Sequence, residues 1–141
     1  MRSAFFLPIL RFLSCGSDVV EPKIVGENPF TVRYGETAVV QPKGAILRFE
    51  ELLGDSRCPL NLVCFWEGRA DLRVWFRTPG GEEIYLQLPI YGYVFLPDTA
   101  RQQYVDTLGY RIKLLQLDPY PRWPVHRAAE EYVALMKVTS L

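Results

Sequence analysis

Apolar and polar side chains alternate along most of the chain after residue 29. In Phe30-Thr31-Val32-Arg33-Tyr34 every second residue is apolar, the period of a strand with one buried and one wet face. Gly35-Glu36 turns the chain. Thr37 to Val40 and Ala45 to Glu50 continue the pattern, split by Pro42 to Gly44. In the second of these, Ala45, Leu47 and Phe49 point one way while Ile46, Arg48 and Glu50 point the other. The clearest hairpin follows. Ala70, Leu72, Val74 and Phe76 alternate with Asp71, Arg73, Trp75 and Arg77, Thr78-Pro79-Gly80-Gly81 carries turn chemistry, and Ile84, Leu86 and Leu88 resume the alternation.

The second half is less regular. Tyr91 to Pro97 is apolar and glycine-containing and fits no element cleanly. Arg101 to Val105 reads as a strand or a helical turn. Tyr110 to Leu114 alternates, but Leu115 and Leu117 carry the apolar side on in the opposite phase. That predicts a β-bulge near Leu114 or a strand buried on both faces. Tyr132, Ala134, Met136 and Val138 predict a final strand, against a competing helical reading of Arg127 to Leu135. About seven short strands separated by turns indicate an all-β fold: an antiparallel β-sandwich, immunoglobulin-like, with a small β-barrel as the alternative.

The N-terminal residues carry a different signal. Met1-Arg2-Ser3 is basic, Ala4 to Leu10 is apolar, and Ser14 stands directly before Cys15. This pattern is expected of a bacterial lipoprotein export signal over residues 1–14, with Cys15 lipidated; secretion without an anchor is the alternative. Residues 15–28, broken by Gly16, Pro22 and Gly26 and ending at Asn28 before Pro29, read as a tether, and residues 29–141 as one domain. Formal net charge is zero, so no basic field draws the chain to nucleic acid.

Of the three cysteines, Cys58 and Cys64 remain for the domain itself. In an exported domain such a pair is most simply a disulfide, worth about 2.4 kcal/mol for so short a loop in the chain-entropy model; inert free thiols are the alternative. Zinc wants about four ligands, and the single histidine, His126, is remote in sequence. No metal or cofactor is expected.

Asp55-Ser56-Arg57-Cys58-Pro59, followed by Cys64-Phe65-Trp66-Glu67-Gly68-Arg69-Ala70, resembles a signature of uncharacterised small bacterial exported proteins and lipoproteins. Tyr110, Ile112, Leu114 and Leu117, followed by Pro119-Tyr120-Pro121, resembles the same group's late strand. The resemblance implies an envelope protein with a disulfide and supplies no activity. From the residues themselves, Asp55 is expected to accept backbone N–H groups and pair with Arg57, Trp66 to lie on the disulfide, and Gly68 to allow a bulge or a close backbone approach.

No nucleophile has a neighbouring base in a recognisable motif, and Glu50-Glu51, Glu82-Glu83 and Glu130-Glu131 are adjacent pairs that strands would point to opposite faces. The chain is therefore expected not to be an enzyme. The segment from Asp118 to Pro124 stands out instead. Its prolines favour an extended backbone, and Tyr120, Arg122 and Trp123 are residue types enriched in binding hot spots. Either they form a recognition loop, or Tyr120 and Trp123 close one end of the sandwich as core. The functional expectation is an envelope lipoprotein with a binding or structural role. It would meet a membrane through Cys15 and take an envelope protein or glycan as partner. An inhibitor-like secreted module offering the loop to a hydrolase is the alternative.

Overall fold

A computed structural model of the chain describes residues 21–92 and 103–141. The predicted export signal, Cys15 and the stretch 93–97 lie outside the described residues. Nine strands follow in order: β1 (Lys23–Val25), β2 (Phe30–Arg33), β3 (Thr37–Val40), β4 (Ala45–Asp55), β5 (Arg69–Arg77), β6 (Glu83–Tyr91), β7 (Tyr104–Thr107), β8 (Tyr110–Asp118) and β9 (Val133–Ser140). They form a five-stranded sheet, β1-β3-β4-β5-β6, and a four-stranded sheet, β2-β9-β8-β7. The two sheets face each other as a sandwich, and neither closes into the alternative barrel.

The alternation read from the sequence is the one that builds the core. Leu47, Phe49, Leu72 and Phe76 of one sheet and Ile112, Leu117 and Met136 of the other are fully buried. Phe76 meets Tyr110 edge-on across the sheets at 5.2 Å between ring centroids, a geometry that ring quadrupoles favour. The bulge expected near Leu114 is present. Leu114 pairs with Met136 and Gln116 with Leu135, leaving Leu115 as the extra residue. Leu115 is exposed while Leu114 and Leu117 both reach the core. The stretch 127–135 holds only a 3-10 turn, Ala129–Glu131, before β9.

The structure sharpens the expected architecture at several points. The described residues form nine strands where about seven were expected. Residues 23–25, read as part of a tether, form β1 and pair in parallel with β3 through Lys23–Ala38 and Val25–Val40; Val25 is buried there, which three isolated residues could not announce. Of the stretch Arg101 to Val105, read as a strand or a helical turn, Tyr104 and Val105 belong to β7, which pairs with β8 at the end of the four-stranded sheet. β4 also runs five residues past its predicted end, through two irregularities in its pairing with β5, between Phe49 and Glu51 and between Leu52 and Gly54.

Candidate recognition surface

Those two irregularities decide what stands at one end of the sandwich. Unbroken alternation from Phe49 would point Glu51 and Leu53 inward. Each bulge adds a residue, so Leu52 packs on the core, Leu53 faces solvent, and Asp55 sits opposite buried Ala70. The first bulge reverses the phase and the second restores it, so the Asp55 carboxylate returns to the inward face and enters the end of the sandwich.

Arg57 answers it there. Its Nε donates to Asp55 Oδ1 at 2.8 Å, its Nη2 to Asp55 Oδ2 at 2.6 Å, and its backbone N–H to Asp55 Oδ1 at 3.2 Å. This confirms the pairing expected from the sequence. Both side chains are almost wholly buried. Nη1 of Arg57 donates to the Leu117 carbonyl of β8 at 2.9 Å, and the Tyr132 hydroxyl donates to Asp55 Oδ2 at 3.1 Å. The guanidinium also stacks over the Tyr120 ring, 4.6 Å from its centroid. The pair thus ties the five-stranded sheet to the four-stranded one. Burial is the first cause that pushes the Tyr132 phenol up to about 12, and the Asp55 charge and its hydrogen bond add to it. Among the described residues no buried side-chain polar atom lacks a partner, which is the condition for a buried charge pair to hold without a large penalty.

Beyond Arg57 the chain forms the disulfide loop. Cys58 and Cys64 are bonded, with Cα atoms 5.9 Å apart. The loop base is closed by backbone bonds: Ser56 N–H to the Arg69 carbonyl at 2.8 Å and Cys58 N–H to the Glu67 carbonyl at 2.8 Å. Gly68 fulfils its expected role. It has φ +66°, and a Cβ there would lie 1.9 Å from the Ser56 carbonyl oxygen. Only glycine permits that approach.

The proline-rich segment 119–124 docks on this loop. Leu60 N–H donates to the Pro121 carbonyl at 3.0 Å. Asn61 grips the backbone of Trp123 twice: Trp123 N–H donates to Asn61 Oδ1 at 2.7 Å, and Asn61 Nδ2 donates to the Trp123 carbonyl at 2.9 Å. The two readings of the segment divide between its residues. Tyr120 is half-buried under Arg57 and Pro121 is fully buried, so they close the end of the sandwich. Arg122 and Trp123 face solvent.

The two joined loops carry an unusual outer surface. Phe65 is fully exposed, Val63 is 91% exposed, and Trp66 and Trp123 are 72% and 62% exposed. Leu60, Leu62 and Val125 are exposed as well. Trp66, expected to lie on the disulfide, is largely exposed on this loop. The disulfide closes a loop outside the core, and Cys64 is itself exposed. Asn61, Leu60, Val63 and Phe65 were not singled out from the sequence. Their signal was present in the stretch from Cys58 to Trp66, which contains no charged residue and five large apolar ones yet sits in a loop.

His126 is exposed in the loop before β9. Glu50 pairs with Arg48, Glu51 with Arg73 and Glu83 with Arg77. A shallow pocket at the opposite end of the sandwich, beside Gln41, Tyr110 and Ser140, has a volume of about 10 Å³, room for a single water. Among the described residues no three His, Cys, Asp or Glu side chains cluster to hold a metal.

Fold and surface together define a two-sheet β-sandwich with a disulfide-closed, apolar loop tip. Comparison with protein-family models, curated proteins and solved structures returns no match.

Proposed function

We propose that the chain is an exported, non-enzymatic module of the bacterial cell envelope, anchored through lipid on Cys15, whose working surface is the tip formed by the disulfide loop and the segment 119–125. The observation that carries this reading is the tip itself. Large apolar side chains stand in solvent on loops held rigid by a disulfide, the Asp55–Arg57 pair and the Asn61 clamp on Trp123. A monomer rarely exposes such a patch without a partner for it, and a rigid loop loses little conformational freedom on binding. The motif around Cys58 and Cys64, with its resemblance to exported bacterial proteins, supports the compartment.

The test is a photoreactive residue in place of Val63, in cells that export the protein. An adduct with an envelope component, lost on Arg122→Ala with Trp123→Ala while the melting temperature stays unchanged, is the expected result. No adduct, with a melting temperature that falls sharply on the same substitutions, would reduce the tip to a structural cap. An adduct with a secreted hydrolase would favour the inhibitor-like alternative.

A further inference from the structure

The course of β1 bears on what the tip meets. Lys23 lies level with Ala38 of β3, and Ala38 lies level with Leu47 of β4. β3 is antiparallel to β4, and β1 is parallel to β3. The chain therefore enters β1 from the Asp55 end of β4, which is the end that carries the disulfide loop. Along β4, Leu47 and Asp55 are separated by at most about 26 Å at 3.3 Å per residue. The residues from Cys15 to Lys23 span a similar distance at full extension, at most about 29 Å. A lipid on Cys15 is thus within reach of the level of the tip. It could reach the opposite end, at Val40 and Ala45, only if the chain doubled back.

The chemistry of the tip agrees with that placement. Val63, Phe65, Leu60 and Leu62 are aliphatic or aromatic and stand exposed on the disulfide loop. Trp66 and Trp123 flank them, the residue type that settles at the headgroup level of bilayers. Nothing charged lies between Cys58 and Trp66 to oppose insertion, and exposed Arg122 beside Trp123 supplies a cation suited to lipid phosphate.

We propose that the disulfide-loop tip inserts into the interfacial layer of the same bilayer that holds the Cys15 anchor, and so fixes the orientation of the sandwich on the membrane. The proposal rests on the anchored-module reading and names the bilayer lipid as the partner of that surface. The disulfide keeps the inserted side chains splayed outward, and the Asp55–Arg57 clasp couples their position to both sheets.

The experiment uses the exported, processed protein in vesicles of phosphatidylethanolamine and phosphatidylglycerol that carry a quencher near the headgroup. Tryptophan emission is read for the wild type and for Val63→Asp with Phe65→Asp. Both positions are solvent-exposed, so the folded state tolerates the change, and an unchanged melting temperature checks this. The expected result is a blue-shifted, quenched emission in the wild type that is lost in the double variant. Unquenched emission from the anchored wild-type protein would overturn the proposal, as would adducts from position 63 that contain only protein. If intact mass shows Cys15 unmodified while tip-dependent quenching persists, the anchoring reading fails and the insertion stands.

Discussion

Arg57 holds three partners at once: the Asp55 carboxylate, the Leu117 carbonyl and the Tyr120 ring. Removal of its side chain leaves the buried Asp55 with only neutral partners, the Tyr132 hydroxyl and the backbone N–H of residue 57. Arg57→Ala should therefore cost about 3–5 kcal/mol, the range for breaking a buried pair from one side. Arg57→Lys should recover little of it, because an ammonium cannot reproduce the two-pronged grip and the stack. Denaturant unfolding checks both, and a loss below about 1 kcal/mol for Arg57→Ala would show the clasp to be incidental. Tyr132 adds a pH signature. Its folded-state pKa of about 12 stands above the ordinary 10.0. The folded state thus favours the protonated phenol, a contribution complete below pH 10 and lost as pH rises from 10 to 12. A shift of that size is on the order of 3 kcal/mol. Tyr132→Phe should flatten the fall in stability across this window relative to the wild type; parallel curves would exclude Tyr132 as the titrating group.

At the level of elements, the tip depends on the loop base as much as on the disulfide. Cys58→Ser with Cys64→Ser should lower stability by about 2 kcal/mol, the loop-entropy share, because the backbone bonds at Ser56 and Cys58 survive. Gly68→Ala should cost more, about 3 kcal/mol or above, since both the positive φ and the Ser56 carbonyl oppose a Cβ. Thermal melts of the two variants rank them, and the reverse order would contradict the weight given to the loop base. The same elements show what could be read beforehand. The β5–β6 hairpin and the β8 bulge were legible, because burial on one face writes a period of two and an extra residue writes a phase change. The end of β4 was not, because two bulges in six residues erase the period. β1 was not, because its partner is fixed by tertiary contact with β3. The exposure of Trp66 was not legible, because only the closed loop base shows that the disulfide stands outside the core. Asn61 was invisible, since its partners are backbone atoms of a loop distant in sequence.

The whole molecule joins a closed β-sandwich to one specialised end. The opposite end carries a tight β3–β4 turn and a water-sized pocket. At the specialised end converge the exit of β4, the entry of β5, the end of β8, the start of β9 and the approach to β1. Under the anchoring proposed for Cys15, that convergence would join the lipid and the disulfide loop in one device, and the Cys58–Cys64 bond fits the oxidising compartment that the same proposal requires. The most direct measurement is the intact mass of the protein from its native host. A chain beginning at Cys15, carrying diacylglycerol and lacking two hydrogens for the Cys58–Cys64 bond, is the predicted result; a chain that begins at Met1 with both thiols free would contradict it.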